Sequence, residues 1–327
     1  MKAFTELRQQ KRMDLSEAIP IGKPLTLTID PCSLCNFKCS QCLQSAPDVH
    51  FHRGMMPYAQ FQSIVDGLKR WDGPRIKAIK LYNRGEPLVH PDLVKMLRYL
   101  SEADITDRID LTSNCSLLTE EKAYGLVSGG LDYLRVSIYS TLKEKHARIT
   151  RSEASPEEIF QNICTLQDIK ARLGSKKPYV AVKMFETEDE ADKSEFLRLY
   201  QSVADEVFFE KLHDFSGFST QAAMLPGEKE ACPWPFFSLT VQSDGAVDCC
   251  CVDWEDRNLV GNAFSTPIQE IWSSAALERF RELQLMHRRK QLDGCKNCSV
   301  YLTDSFTVDN IDSVSVEAYR ARRERRE

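Results

Sequence analysis

Twelve cysteines are distributed unevenly along this 327-residue chain, and four of them lie within one short stretch. The sequence CSLCNFKCSQC, at residues 32–42, contains Cys32, Cys35, Cys39 and Cys42. Four thiolates could bind one zinc ion tetrahedrally or supply all the ligands of an iron–sulfur cluster. Three of them, spaced C-x3-C-x2-C, would leave one iron open for chemistry. The spacing by itself is compatible with each of these sites.

A second group of cysteines lies in the last third of the chain. It comprises Cys232, the triplet at residues 249–251, and the pair Cys295 and Cys298 in the sequence GCKNC. Clustered cysteines in a chain of this size indicate metal or redox chemistry, because disulfide frameworks are typical of small secreted domains. Four of these thiols could also form a structural zinc site, so both alternatives stay open.

The elements around the first cysteine group alternate between strand and helix. Strands rich in β-branched and apolar residues are predicted at 25–30, 76–83, 108–114, 133–140, 179–186 and 206–212. Helices are predicted at 57–71, 91–103, 119–130, 155–174 and 188–203.

Six such βα units predict a parallel sheet with helices outside it, joined by right-handed crossovers. Six units are fewer than the eight of a closed barrel. We therefore expect an α/β fold, a partial (β/α)6 barrel, with its active site at the carboxyl ends of the strands. The first cysteine group leaves the first strand at that end.

The C-terminal part of the chain follows a different pattern. FFSLTV, QSDG and AVDCCCV predict a β-hairpin that turns on Asp-Gly, and a long helix is predicted at 267–291. We divide the chain into five parts, each with its expected role. These are an N-terminal extension (1–23), the barrel (24–212), a linker (213–231), a smaller β-hairpin and helix domain that holds the second cysteine group (232–300), and a C-terminal tail (301–327).

Charge and hydropathy exclude several classes of function. The net charge is −5 and the isoelectric point is near 5.8, so no global positive field attracts nucleic acid. The N-terminal residues lack the apolar core of a signal peptide, and no run of 18 apolar residues could span a membrane. We therefore expect a cytoplasmic protein with neither a membrane nor a nucleic acid as partner.

The order of the motifs resembles the radical S-adenosylmethionine (SAM) superfamily over about residues 24–212. C-x3-C-x2-C follows the first strand, NRGEPLVHP follows the second, TSN ends the third and VSIYS ends the fourth. The resemblance implies that Cys35, Cys39 and Cys42 bind a [4Fe–4S] cluster, whereas Cys32 is not a ligand. It also implies that SAM chelates the fourth iron and is cleaved to a 5′-deoxyadenosyl radical, which abstracts hydrogen from the substrate.

The same resemblance assigns residues to SAM. Glu86 matches the Gly-Gly-Glu-Pro position of the family, where the carboxylate meets the SAM ammonium group. Arg84 stands where the first glycine of that motif is usual. Ser113, Asn114 and Ser137 match strand-end positions that often contact the SAM ribose or carboxylate, with a turn or cap role as the alternative for each.

Residues 232–298 resemble the SPASM/twitch extension of radical SAM enzymes. The matching features are a cysteine before the hairpin, the Asp-Gly turn, a cysteine after it, Gly-Asn, Ile-Trp and the final C-x2-C. The resemblance implies one auxiliary [4Fe–4S] cluster and a total of two clusters plus SAM. The four expected ligands of this auxiliary cluster are Cys232, Cys250, Cys295 and Cys298. Cys249 and Cys251 are the alternatives to Cys250.

A single auxiliary cluster resembles the arrangement in the butirosin-pathway dehydrogenase, which oxidises the alcohol of an aminocyclitol. We therefore expect dehydrogenation or epimerisation of a sugar, cyclitol or similar small polar metabolite, with a flavodoxin or ferredoxin as electron donor. His213 and Asp214, just after the sixth strand, are candidate bases for the proton. The alternatives are a peptide-modifying maturase of the same family and a non-enzymatic protein with a structural zinc or iron–sulfur site.

Overall fold

The computed structural model describes residues 13–210, 229–296, 298, 300–303 and 307–325. Its strands form one nine-stranded sheet, in the order β6-β5-β4-β3-β2-β1-β7-β8-β9. The strands are β1 (Thr26–Ile29), β2 (Ala78–Lys80), β3 (Ile109–Ser113), β4 (Tyr133–Ile138), β5 (Tyr179–Phe185), β6 (Glu206–Glu210), β7 (Ser238–Val241), β8 (Ala246–Asp248) and β9 (Leu259–Asn262).

The helices lie mainly in the crossovers between the parallel strands. They are α1 (Leu15–Ala18), α2 (Tyr58–Arg70), α3 (Leu93–Ala103), α4 (Glu120–Ser128), α5 (Lys143–Thr150), α6 (Pro156–Arg172), α7 (Glu190–Tyr200), α8 (Ile268–Trp272), α9 (Ala275–Leu285), α10 (Val300–Thr303) and α11 (Val316–Glu324). Within the described ranges, no helix is long and apolar enough to cross a lipid bilayer.

Strands β1 to β6 confirm the predicted α/β barrel. Each is parallel to the next and neighbours it in sequence order. Among the described strands, β6 and β9 stand at the two ends of the sheet, so the barrel is open. The carboxyl ends of β1 to β6 therefore lie along the same edge, where the sequence placed the active site.

The C-terminal hairpin continues the barrel sheet. Strand β7 pairs in parallel with β1, and β8 and β9 follow in antiparallel order. The turn between β7 and β8 falls on Asp244 and Gly245, as predicted, and Gly245 has a φ of +85° that glycine adopts without strain. The hairpin was expected from the sequence, but its pairing with β1 was not.

Two helical predictions differ from the structure. Helix α5, in the connection after β4, was not expected. The single helix predicted at 267–291 is wrong, because α8 and α9 are separate and Ser274 caps the second by accepting a hydrogen bond from the Leu277 amide at 3.2 Å. Serine side chains compete with the helical backbone for hydrogen bonds and favour such caps.

The two faces of the barrel strands have opposite character. Leu27, Ile79, Leu111, Leu134 and Val182 are buried and form the core beneath the helices. The alternate residues of these strands, which face the interior of the curved sheet, are largely polar. In pleated register they include Thr28, Lys80, Asp110, Arg135 and Lys183.

Asp192 of α7 fixes the loop that follows β4. Its buried carboxylate accepts hydrogen bonds from the Ser140 hydroxyl at 2.7 Å and from the Thr141 amide at 2.8 Å. It also pairs with the Lys145 ammonium at 2.8 Å. Burial raises the pKa of this carboxyl, but the ion pair and the hydrogen bonds outweigh it, so the pKa lies below its usual 3.8. The end of β4 is thereby held at the active-site edge.

The tail folds back on the start of the described chain. Tyr319 of α11 is buried against Phe236 and Leu15 in a small second core. The Arg322 guanidinium donates to the Ser16 carbonyl at 2.6 Å. Arg320, Arg322 and Arg323 thus belong to a packed helix.

Candidate functional site

The three thiols of the C-x3-C-x2-C motif lie together at the carboxyl end of β1. The phenol of Tyr139, at the end of β4, lies beside all three, and its pKa rises well above the usual value because it is buried and faces Cys39, Cys42 and Cys35. Burial also raises the pKa of Cys35 to about 12 and that of Cys39 to about 11. Metal binding at such thiols releases their protons.

The C-terminal end of helix α5 accepts hydrogen bonds from the backbone of the cysteine loop. The Lys38 amide donates to the Thr150 carbonyl at 2.9 Å, and the Ser40 amide donates to the Ile149 carbonyl at 2.8 Å. These bonds use carbonyls at the C-terminal end of the helix, which have no partner within it. A loop that would otherwise be irregular therefore has a defined conformation.

Cys32 has a different environment. It is fully buried, and its thiol donates to the carbonyl of Leu34 at 3.6 Å. Its backbone forms an isolated bridge with Met55. Cys32 thus packs at the base of the loop.

Gly85 brings the turn after β2 into direct contact with the cysteine loop. A Cβ atom at Gly85 would lie 2.1 Å from the Cys32 carbonyl oxygen and 2.4 Å from that of Leu34. The adjacent Glu86 amide donates to the Leu34 carbonyl at 2.9 Å. Only glycine fits here, because the obstructing atoms belong to the backbone.

Glu86 is buried, and its carboxylate is held by the end of β3 and by its own turn. It accepts hydrogen bonds from the Ser113 hydroxyl at 2.7 Å, the Asn114 amide at 2.7 Å and the Leu88 amide at 3.0 Å. Burial raises the pKa of Glu86, and these bonds act in the opposite direction. A carboxylate offers about four acceptor positions, so one remains for a further donor such as an ammonium group.

The predicted SAM residues occupy neighbouring positions along this edge. Ser113 and Asn114 meet Glu86, and the Asn114 side chain donates to the Asn36 side chain in the cysteine loop at 3.0 Å. Ser137 is half-buried on β4, in register with Lys183 of β5. The predicted bases His213 and Asp214 lie outside the described residues.

The second cysteine group surrounds a separate cavity. Four thiols line it: those of Cys232, Cys250, Cys295 and Cys298. Within the triplet, the buried Cys249 thiol donates to the Asn258 carbonyl at 3.7 Å, and burial together with the nearby Cys295 raises its pKa well above the usual value. Burial raises the pKa of Cys232 to about 12.

Polar groups support the wall of this cavity. Gln284 accepts a hydrogen bond from the Cys232 amide at 3.0 Å and donates to the Cys295 sulfur at 3.9 Å. The buried guanidinium of Arg289 donates to the carbonyls of Cys295 and Cys298, the latter at 2.9 Å. A positive charge at this place offsets the negative charge of bound thiolates.

These donor sets suit iron–sulfur clusters. Thiolates are soft ligands that select zinc, copper(I) or iron–sulfur centres over hard cations. Across the described parts of the chain, no three side chains among His, Cys, Asp and Glu converge on the position of a single metal ion. An iron–sulfur cluster carries its thiolates on separate irons.

The interior face of the barrel contains charged residues that the motifs did not indicate. Lys183 pairs with Glu210, and Arg135 lies 3.7 Å from the same carboxylate. The Arg135 guanidinium also lies 5.7 Å from the ring of Tyr82. In the strand sequences LRVSI and AVKMF a cationic residue lies among apolar ones. This pattern indicates a polar face of the sheet but no particular role for Arg135 or Lys183.

The open α/β barrel and its two groups of thiols define a class of protein whose thiols suit iron–sulfur clusters. The family model of the radical SAM superfamily matches residues 29–191. The model of SPASM, an iron–sulfur cluster-binding domain, matches residues 232–299. The chain therefore belongs to the radical SAM superfamily and carries a SPASM domain, which confirms the resemblance seen in the sequence. As a radical SAM enzyme it takes SAM and a [4Fe–4S] cluster as cofactors, and its SPASM domain implies additional iron–sulfur cluster binding.

The curated relatives match about half of this chain. The GTP 3′,8-cyclase of Aquifex aeolicus is 24% identical over 182 residues, which is 54% of each chain. A tungsten-containing aldehyde ferredoxin oxidoreductase cofactor-modifying protein of Pyrococcus furiosus is 26% identical over 165 residues, or 50% of this chain and 44% of the relative. The chain thus spans about half the length of the curated relatives it matches.

Solved structures share the fold across most of the chain. BtrN in complex with AdoMet and 2-DOIA has a TM-score of 0.55 and 19% identity, covering 84% of this chain and 92% of BtrN. AdoMet-bound anSMEcpe has a TM-score of 0.60 and 16% identity, with 93% and 98% coverage. SuiB of Streptococcus suis, bound to its precursor peptide SuiA, has a TM-score of 0.59 and 15% identity, with 91% and 77% coverage. Enzymes of this family use a small-molecule or peptide substrate and a reductant.

Proposed function

We propose that the protein is a radical SAM oxidoreductase that dehydrogenates or epimerises a sugar, cyclitol or similar small polar metabolite. The observation that carries this proposal is the polar interior face of the barrel. Its charged side chains are Lys80, Asp110, Arg135, Lys183 and Glu210. A substrate with several hydroxyl or amino groups suits such a surface, because buried polar groups need hydrogen-bond partners.

The proposed ligands of the SAM-binding cluster are Cys35, Cys39 and Cys42, and Glu86 is the proposed partner of the SAM ammonium group. When bound, this cluster and SAM supply the 5′-deoxyadenosyl radical that removes a hydrogen atom from the substrate. The role of Glu86 is supported by its buried carboxylate and its one remaining acceptor position. Burial strengthens an ion pair at this position by lowering the local dielectric constant.

Ser113, Asn114 and Ser137 are the proposed contacts to the SAM ribose or carboxylate. Asn114 is supported by its bond to Asn36, because this bond places its side chain next to the cysteine loop. Ser113 is supported by the hydrogen bond that it donates to Glu86, because this bond places its hydroxyl next to the proposed SAM site. Ser137 is supported by its place on the interior face of β4.

The proposed ligands of the auxiliary cluster are the four cysteines of the second cavity: Cys232, Cys250, Cys295 and Cys298. When bound, a cluster with four protein ligands supplies an acceptor for the electron that leaves the substrate radical. His213 and Asp214, which follow the end of β6, are the proposed acceptors of the proton. A flavodoxin or ferredoxin is the proposed reductant, since the family requires an electron donor.

Deuterium transfer tests the substrate class. The anaerobically reconstituted protein is incubated with SAM, dithionite and a panel of carbon-deuterated amino sugars, inositols and aminocyclitols. We expect one of these compounds to transfer deuterium into 5′-deoxyadenosine and to be converted to a ketone or an epimer. A parallel incubation uses deuterated peptides. Transfer from peptides alone would refute the proposal in favour of a maturase.

A further inference from the structure

Arg84 connects the two cluster sites. Its side chain is buried, and its guanidinium donates to the Asp253 carbonyl at 2.8 Å and to the Asp256 carboxylate at 3.2 Å. It also lies 3.7 Å from the Asp248 carboxylate. All three acceptors lie on the segment that carries Cys250. Glycine, the usual residue of the family at this position, has no side chain to make these contacts.

The backbone of Arg84 belongs to the other site. Its carbonyl accepts a hydrogen bond from the Gln44 side chain at 2.6 Å, and the same amide group donates to the Ser33 carbonyl at 2.8 Å. The next two residues are Gly85, which contacts the cysteine loop, and Glu86. Arg84 is therefore anchored to the cysteine loop of the barrel through its main chain.

The contact to Asp253 reaches the wall of the auxiliary cavity. The Asp253 carboxylate accepts hydrogen bonds from the backbone and side-chain amides of Asn258 at 2.8 and 3.0 Å. The Asn258 side chain in turn lies 4.0 Å from the Cys295 sulfur. Asp253 and Asn258 both line the cavity. A short chain of polar contacts thus joins Arg84 to a thiol of the second site.

Packing and charge both hold Arg84 in this position. The guanidinium lies 5.2 Å from the ring of Phe51, which meets Trp254 edge-on at 5.5 Å. Burial raises the pKa of the Asp30 and Asp248 carboxyls, and the nearby Arg84 acts in the opposite direction. Arg84 is thus a buried cation among several acidic residues at the boundary of the two domains.

We propose that Arg84 is a positioning residue that holds the loop of residues 253–258 against the turn of residues 84–86 and whose charge favours the reduced auxiliary cluster. The first effect keeps the two clusters at a constant separation. The second follows because reduction adds an electron, which a nearby buried cation stabilises. Only the link to product formation rests on the proposed function.

The test compares three variants with a matched control. Arg84→Met removes the charge and the fork of hydrogen bonds, and Arg84→Lys retains the charge. Asp256→Asn removes the partner charge and is compatible with the backbone, because position 256 has a φ of +55° that asparagine tolerates. Arg75→Met is the control, since Arg75 pairs with Asp104 and Asp107 on the far side of the barrel.

Two measurements are made on each reconstituted full-length protein. The midpoint potential of the auxiliary cluster is obtained by an EPR-monitored redox titration, in which SAM addition identifies the other cluster. Hydrogen exchange then reports the mobility of residues 253–258. A third measurement, the ratio of product to 5′-deoxyadenosine, follows once a substrate is known.

The two charge changes should shift the potential in opposite directions. Arg84→Met should lower the midpoint potential of the auxiliary cluster by about 59 mV, which is about a tenfold change in the equilibrium constant of a one-electron reduction. Asp256→Asn should raise this potential. Exchange of residues 253–258 should be faster in both variants. In Arg84→Lys the potential should stay close to that of the wild type. In Arg75→Met both the potential and the hydrogen exchange of residues 253–258 should equal those of the wild type.

A shift of the same sign in both variants, or none, would overturn the proposal. If Arg84→Met does not assemble the auxiliary cluster, the test depends on Asp256→Asn. An unchanged or lower potential in Asp256→Asn then contradicts the proposal. Absence of product from the wild type would refute the proposed function without affecting these two measurements.

Discussion

Replacement of Glu86 by glutamine should weaken SAM binding strongly while leaving cluster content unchanged. The substitution keeps the side-chain shape and removes the charge that would face the SAM ammonium group. Hydrogen bonds to charged groups contribute about 1.5–3 kcal/mol, which corresponds to roughly a ten- to two-hundredfold loss of affinity. The glutamine amide would also face the amide of Asn114, which now donates to the carboxylate at 2.7 Å. The two amide groups, both hydrogen-bond donors, would then face each other without an acceptor, which adds to the loss of SAM affinity.

Isothermal titration calorimetry with SAM, without a reductant, measures this effect on reconstituted protein. Iron content and the visible spectrum show whether the clusters are retained. Glu120→Gln is the matched control, because Glu120 is an exposed carboxylate that pairs with Arg172, and its affinity should equal that of the wild type. A SAM affinity of Glu86→Gln within twofold of the wild type would show that Glu86 has no such role.

The pH dependence provides a second check on the same residue. Burial raises the pKa of Glu86 above its usual 4.5, so the carboxylate loses its charge at a higher pH than an exposed glutamate. SAM affinity of the wild type should therefore fall as the pH decreases towards that raised value. The affinity of Glu86→Gln should not follow this change, since glutamine does not titrate.

Three other perturbations test the remaining assignments. Cys35→Ala should abolish SAM cleavage and Cys32→Ala should retain it, as measured by 5′-deoxyadenosine formation; equal losses would indicate a four-thiolate site. Cys250→Ala should reduce the iron content from about eight to about four per chain, whereas alanine at either neighbour in the triplet should not; a full complement of iron in Cys250→Ala would refute this ligand set. Asp192→Asn should lower the free energy of unfolding of the metal-free protein by about 2 kcal/mol at pH 7, because a buried charge paired with Lys145 is lost. The pKa of Asp192 in the folded state is depressed below the usual 3.8, so the stabilisation from its charge is lost as the pH falls below 3.8 and through the folded-state pKa. The difference in unfolding free energy between the wild type and Asp192→Asn, measured with urea, should therefore be smaller at pH 3 than at pH 7.

Local sequence was sufficient for the barrel and for the position of its first site. Alternating apolar patterns predicted β1 to β6 in parallel order. Thr119 and Ser155, which begin two of the predicted helices, cap them by accepting hydrogen bonds from backbone amides. The carboxyl ends of parallel strands meet at one edge of the sheet. Motifs that follow successive strands therefore converge there, which agrees with the grouping of Glu86, Ser113 and Asn114 that the family resemblance implied.

The assignment of Cys250, and not Cys249 or Cys251, as a cluster ligand stays a prediction, and the structure bears on it through the cavity lining. Residues 249–251 form a bend and a turn directly after β8, so the alternation of side chains along a strand does not predict which of their thiols faces the cavity. The pairing of β8 with β9 is irregular between Val247 and Asp248, directly before the triplet. The alignment on Asp-Gly favoured Cys250, but only the folded chain shows this thiol in the cavity wall.

The sequence by itself indicated the superfamily, the barrel and the two groups of thiols, because each is composed of short local motifs and apolar patterns whose order along the chain can be read directly. Tertiary structure alone decided how the two halves are joined. Strand β7 pairs with β1, and Arg84 pairs with Asp256, across more than 150 residues of chain in each case. No local pattern encodes such contacts, because they depend on the free energy gained when distant segments are buried together.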